Sequence, residues 1–218
     1  MLPSRDQLVV CFAHAAYQMK TCFDALNTGI ASFEVREASE FERRAAEADV
    51  IVVSGLWHNG LIPLANRLRF IQSIGSGTDQ FDRAELAARG IRLASAAGVN
   101  ARAVAEHAMS LMLALLRRLP EARDNQAQRV WRGMIGDLTQ REDEMTGKTV
   151  VIIGLGQIGG RLAQLAKAFD MKVVGFRRDP SSGAGAADSV HALGELPTFL
   201  PAADFVVLTC PLVPRPAD

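Results

Sequence analysis

Short apolar runs alternate with amphipathic segments along the first half of the chain. Leu8–Phe12, Phe33–Val35, Val50–Val53, Phe70–Ile74 and Ile91–Leu93 are too short for buried helices, and most are rich in β-branched or aromatic residues. They are expected to be strands. Helical segments are expected between them at Glu40–Ala48, Ile62–Asn66 and Asp82–Ala88, with Gly55, Gly75, Gly77 and Gly90 marking turns. Regular β–α alternation implies a parallel sheet covered by helices on both faces, because each parallel pair needs a crossover connection.

The pattern changes at Asn100. Ala101–Arg118 contains neither Gly nor Pro and is dense in Ala, Leu and Met. It reads as one long helix, apolar nearly all round after His107 and therefore buried, which makes His107 a core histidine. Pro120 punctuates it, a helical stretch follows to about Val130, and a polar, Gly-dotted segment runs to Gly147. A second βα series begins at Lys148. Its strands are expected at Thr149–Ile153, Lys172–Phe176, Ser189–His191 and Asp204–Thr209, and its helices at Ile158–Phe169 and Leu193–Leu200. The expected fold class is α/β, with two parallel-sheet domains over 1–99 and 100–218 and the long helix at the seam.

Composition narrows the function. The 218 residues include 24 Lys+Arg and 24 Asp+Glu, so a net charge of zero offers no electrostatic case for nucleic acid or an anionic membrane. The longest apolar stretch, within Ala108–Leu116, is interrupted by Ser110 and falls far short of the roughly 20 residues that span a bilayer. Arg5 and Asp6 make the N-terminus a poor signal peptide. Three cysteines, Cys11, Cys22 and Cys210, lack metal-ligand spacing and suggest a reducing compartment. The expectation is a soluble cytoplasmic protein without a metal.

The chemistry concentrates where Lys148–Ile153 runs into Gly154-Leu155-Gly156-Gln157-Ile158-Gly159. G-x-G-x-x-G alone is weak, and a Gly-rich turn that binds nothing is the bland alternative. Between a strand and a helix the pattern points to a dinucleotide site. Gly154 would permit the tight turn, Gly156 the close approach of a pyrophosphate, and Gly159 the packing of helix on strand. Gln157 and Ile158 would present N–H groups at the helix N-terminus. An acid at the end of the next strand would take the 2′-hydroxyl of NAD(H). Here that strand ends in Arg177-Arg178, which suit a 2′-phosphate, so NADP(H) is favoured over NAD(H). Asp179, 20 residues after Gly159, is the rival for the NAD(H) role. A Tyr-x-x-x-Lys reductase is disfavoured, because Thr21 follows the only tyrosine, Tyr17, at the lysine position.

Three blocks in order, Ser73–Asp82, Gly98–Ala108 and Lys148–Gly160, with Arg117–Pro120 and Trp131 between them, resemble the D-isomer-specific 2-hydroxyacid dehydrogenases. This family includes glyoxylate/hydroxypyruvate reductases, phosphoglycerate dehydrogenase and formate dehydrogenase. The resemblance implies a flavodoxin-like substrate-side domain at 1–99 and an NAD(P)-binding Rossmann domain at 100–218, acting in reduction of a small 2-oxo acid. It implies that the Ser76 and Gly77 N–H groups hold the substrate carboxylate, flanked by Leu56 in the loop Gly55-Leu56-Trp57. Asn100 and Val104 would face the nicotinamide, and Thr209, Cys210 and Pro211 would line the crevice, with Cys210 a lining residue and not a nucleophile. The family is usually dimeric, through the long helix and the segment after it.

The family's catalytic Arg, Glu and His follow the region matched by Leu208–Pro214. The resemblance therefore implies that they lie beyond Asp218, so no residue here is given a catalytic role. None of His14, His58, His107 and His191 sits in a Glu-paired general-acid context legible in the sequence. The Rossmann domain is expected to be incomplete, with Phe205–Leu208 an unpaired apolar edge and the chain alone either prone to aggregate or in need of a partner. A second reading is a non-catalytic nucleotide-binding remnant, or a partner of a full-length paralogue.

Overall fold

Five short runs form the strands of a parallel sheet: β1 (Val9–Ala13), β2 (Ala31–Val35), β3 (Val50–Val53), β4 (Phe70–Ser73) and β5 (Arg92–Ser95). The computed structural model describes residues 2–210 and divides into two compact units between Ala97 and Gly98. In the first unit the strand order is β2-β1-β3-β4-β5, the flavodoxin-like order. Register places Cys11 beside Ile51, Ile51 beside Ile71 and Ile71 beside Leu93. Cys11, Ile51 and Ile71 of this row are buried with Phe41, Leu61, Ile62, Leu68 and Leu86, and half-buried Leu93 packs against them. Phe41 belongs to α2 (Ala38–Arg44) and Leu86 to α3 (Arg83–Ala88), whose N-cap Asp82 accepts the Glu85 N–H; α1 (Met19–Asp24) precedes both.

Two expectations are corrected here. Ile62–Asn66 is not a helix: a 3-10 turn at Asn59–Leu61 gives way to successive turns, and Pro63 has no N–H with which to extend a ladder. Its apolar residues Leu61, Ile62 and Ala65 serve the core from turns instead. The helix α1 was not expected; none of its residues is buried, so it carries no apolar stripe to read.

The second unit opens with α4 (Ala101–Leu116) and α5 (Leu119–Ala127). Its sheet contains β6 (Thr149–Ile153), β7 (Lys172–Phe176), β8 (Ser189–His191) and β9 (Phe205–Leu208), all parallel, in the order β8-β7-β6-β9. Helix α6 (Gln157–Ala168) follows β6 and packs on α4. All-round burial of α4 is corrected: only Ala101, Ala105, Met109 and Met112 are buried, a single stripe at helical spacing against Leu162, Ala163 and Ala166. Leu111, Leu115 and His107 are exposed, so His107 is not a core histidine. Leu193–Leu200 is likewise not one helix. It divides into a 3-10 turn, the short α7 (Leu196–Phe199) and a further 3-10 turn, with Pro197 and Pro201 interrupting the backbone donors. Among the described residues β9 pairs only with β6, and Val206 and Leu208 are exposed.

Candidate functional site

The β6–α6 turn is shaped by what its glycines leave room for. Gly154 has φ +102°, a conformation that disfavours side chains, and its N–H donates to the Phe176 carbonyl at 2.7 Å. A Cβ on Gly159 would lie 2.1 Å from the Gly154 carbonyl oxygen and 2.7 Å from Thr209 Oγ1. The helix can approach the strand this closely only without a side chain there. A Cβ on Gly156 would meet nothing within 4 Å, which leaves open space at the N-cap of α6. The first N–H groups of the helix have no intrahelical acceptor and, with the helix dipole, favour an anion.

A cleft of about 410 Å³ opens beside this turn. It is lined by the turn itself, by Phe176–Asp179 after β7, by Ser182 and Leu193, and by Thr209 and Cys210 after β9. β6 lies between β7 and β9, so the cleft sits at the carboxyl ends of the strands where strand order reverses. Leu193 was not expected from the sequence; its position is set by the turn after β8, which no local motif announces.

The three residues after β7 differ in what already holds them. Arg177 donates through Nη1 to the Gly183 carbonyl at 3.0 Å. Asp179 accepts from the Ser181 N–H and from the Ser181 and Ser182 hydroxyls at 3.0, 2.6 and 3.0 Å. Those hydrogen bonds, the Ser181 hydroxyl's foremost, hold its carboxyl below the ordinary carboxylate range. Arg178 is exposed and, among the described residues, makes no hydrogen bond or ion pair. The structure thus brings Gly154, Gly156, Arg177, Arg178, Thr209 and Cys210 together. Gln157 and Ile158 begin α6 outside the cleft lining, and the Gln157 side chain lies against Gly98. Asn100 is the N-cap of α4 and its carbonyl accepts the Val104 N–H at 3.0 Å; neither residue lines the cleft. Pro211 lies outside the described residues.

In the first unit, the loops after the paired strands β3 and β4 leave the same edge of the sheet. Ser73 is buried and its hydroxyl accepts the Gly75 N–H, which bends the chain into the Ser76–Gly77 turn. Ser76 and Gly77 are exposed, and among the described residues neither N–H is bonded. Leu56 packs at the margin of the core, and Trp57 is buried, donating to Asn59 Oδ1 at 3.1 Å. That same oxygen accepts the Asp82 N–H at 2.9 Å and ties the loop to α3.

The histidines have partners that the sequence did not announce. His58 Nε2 lies 3.2 Å from Glu42 Oε1, and His191 Nδ1 lies 3.3 Å from Glu195 Oε2, so two of the four have glutamate partners. Glu42 is 16 positions from His58, beyond local reading, and the His191–Glu195 pair forms because a turn follows β8. His14 Nδ1 accepts the N–H groups of Ala16 and Tyr17, and its ring stacks on Tyr17. Neither glutamate-paired histidine lines the cleft beside the β6–α6 turn. Among the described residues no three His, Cys, Asp or Glu side chains are grouped to hold a metal, and no helix is long and apolar enough to cross a membrane.

Comparison with known proteins gives a consistent result. Residues 109–217 match the family model described as D-isomer specific 2-hydroxyacid dehydrogenase, NAD binding domain. The chain is 33% identical over 180 residues to the D-3-phosphoglycerate dehydrogenase of Methanocaldococcus jannaschii, an alignment covering 81% of this chain and 33% of that one. It is 31% identical over 178 residues to the hydroxypyruvate reductase of Thermotoga maritima, covering 81% of this chain and 56% of that one. In fold it is similar to a D-isomer specific 2-hydroxyacid dehydrogenase family protein from Aeromonas salmonicida, with a TM-score of 0.80 at 24% identity, covering 95% of this chain and 65% of that one. The chain therefore spans less than two thirds of the length of each of these proteins.

Proposed function

The chain belongs to the D-isomer specific 2-hydroxyacid dehydrogenase family, and on that premise we propose that it serves the NADPH-linked reduction of a small 2-oxo acid such as glyoxylate or hydroxypyruvate. The observation that carries this reading is the cleft where the Gly154–Gly159 turn, Arg177–Arg178 and Thr209–Cys210 converge. Its open space at Gly156 fits a pyrophosphate approached by backbone. NADPH bound there would supply the hydride, the chemistry that the cofactor itself carries.

The chain's own residues would bind and orient. The Gly156, Gln157 and Ile158 N–H groups would face the pyrophosphate. Arg178 would pair with the 2′-phosphate, and Arg177 would form the adenine-side wall while it holds the Ser182–Gly183 turn. Asp179 is committed to its own turn, which favours NADP(H) over NAD(H). Asn100 and Val104 would face the nicotinamide, with Thr209, Cys210 and Pro211 across from them. Ser76 and Gly77 would hold the substrate carboxylate through backbone N–H groups, and Leu56 would flank it. We place the protein in the cytoplasm, in keeping with its three free cysteines. We also propose a homodimer: Trp131 and Met134, after α5, are almost fully exposed, with Leu138 three-quarters so, and a second copy would cover them.

The test is binding of NADPH and of NADH to the chain, alone and with each of a panel of 2-oxo acids. Tighter binding of NADPH, strengthened further by at least one acid, is expected; no binding of either dinucleotide would overturn the reading. A second reading, dinucleotide binding without turnover, is favoured by one observation. The two glutamate-paired histidines, His58 and His191, both lie outside the cleft lining. Binding of NADPH that no 2-oxo acid alters would select it.

A further inference from the structure

Thr209 does more than line the cleft. Its N–H donates to the Ile153 carbonyl at 2.9 Å and its hydroxyl donates to the Gly154 carbonyl at 2.5 Å. The same Gly154 carbonyl and the same hydroxyl fill the space a side chain on Gly159 would need. The backbone of Cys210 lies against Gly154, 2.8 Å from where its Cβ would be. The turn is pinned from the other side by the Gly154 N–H on the Phe176 carbonyl. The end of β9 is therefore keyed into the turn that opens α6, from the opposite side of the point where strand order reverses.

We propose that the Thr209 hydroxyl is a positioning group for the dinucleotide: by holding the Gly154 carbonyl against Gly159, it fixes the first turn of α6 so that its N–H groups converge on the pyrophosphate. The proposal rests on the reading that the cleft holds a nicotinamide dinucleotide. Removing the hydroxyl leaves a half-buried carbonyl without its donor and frees the turn to move. The adenine side of the cleft, built on Phe176–Asp179 and Leu193, does not depend on that bond.

The test is a titration of the full 218-residue chain and its variants with two probes, NADPH and 2′-AMP, the second of which carries the adenine and 2′-phosphate but no pyrophosphate. Thr209→Val keeps the side-chain shape and Thr209→Ala avoids a methyl against Gly159, so at least one removal is compatible with the fold. Both are expected to weaken NADPH about tenfold and leave 2′-AMP unchanged, and Thr209→Ser is expected to restore NADPH. Unaltered NADPH affinity in both removals would overturn the proposal while leaving the cofactor reading intact. Parallel loss of both probes would also overturn it, since the effect would then be one of general structure. A wild-type chain that binds 2′-AMP but no dinucleotide would overturn the cofactor reading itself, and the proposal with it.

Discussion

Arg178 and Asp179 are adjacent in sequence, yet one is committed within its own turn and the other is not. Arg178→Ala is accordingly expected to weaken NADPH about tenfold and leave NADH nearly unchanged. Equal loss of both cofactors in a binding titration would contradict that. The thiols differ in a similar way. Cys11 is fully buried between β2 and β3, and burial pushes its thiol up to about 12. Cys22 and Cys210 are exposed. A thiol-reactive dye should label Cys22 and Cys210 promptly and Cys11 only on unfolding, and NADPH should shield Cys210 alone. Because the folded state keeps Cys11 neutral where the unfolded chain ionises, its contribution to stability is intact below the ordinary thiol pKa. It is lost as pH rises towards 12, and alkaline melting of wild type against Cys11→Ala would show it. The fingerprint glycines were legible because their meaning lies in spacing. The Glu42–His58 pair was not, because it is made by tertiary approach.

At the scale of elements, one device recurs three times. Asp49, Asp188 and Asp204 each follow an alanine and precede a strand. Each carboxylate accepts an N–H at the start of the neighbouring strand: Val9 at 3.0 Å, Val173 at 2.7 Å and Thr149 at 2.7 Å. Each Asp N–H returns a bond to that same residue's carbonyl at 2.9 Å. These clasps set the register in which β3 joins β1, β8 joins β7 and β9 joins β6. Asp49 is buried and also pairs with Arg67, so Asp49→Ala is expected to cost about 2 kcal/mol in denaturant unfolding. A loss indistinguishable from zero would contradict the clasp. Asp188 is held below the ordinary carboxylate range, first by Lys167 and then by the Val173 N–H. Its contribution is present above the ordinary carboxylate pKa and is lost as pH falls through its lowered value. The stability advantage of wild type over Asp188→Asn in thermal melts should therefore be full at neutral pH and shrink as pH falls. The Ala-Asp pairs were visible in the sequence, but their reach to a neighbouring strand follows from strand order, which periodicity does not reveal. The long helix shows the converse limit: counting apolar residues predicted burial all round, whereas their angular spacing permits one buried stripe.

For the whole molecule, α/β alternation was read from strand-length runs between helical ones, and the hydrophobic clusters correspond to it: one in the first unit and two in the second, which take alternate residues of β6. The two sheet orders, β2-β1-β3-β4-β5 and β8-β7-β6-β9, were not legible, since no local pattern specifies which strands become neighbours; the resemblance supplied only the domain types. The exposed Trp131, Met134 and Leu138 belong to this scale. Sedimentation should give a dimer that Trp131→Ala weakens, and a wild-type monomer at all concentrations would contradict the proposed assembly. The most direct test of the central claim, that the second unit holds a dinucleotide selected by its 2′-phosphate, is a calorimetric titration of the chain with NADPH and then with NADH. The account predicts saturable one-site binding with NADPH about tenfold tighter or more. Equal affinity, or a preference for NADH, would contradict the assignment of Arg178, and no binding of either would contradict the site.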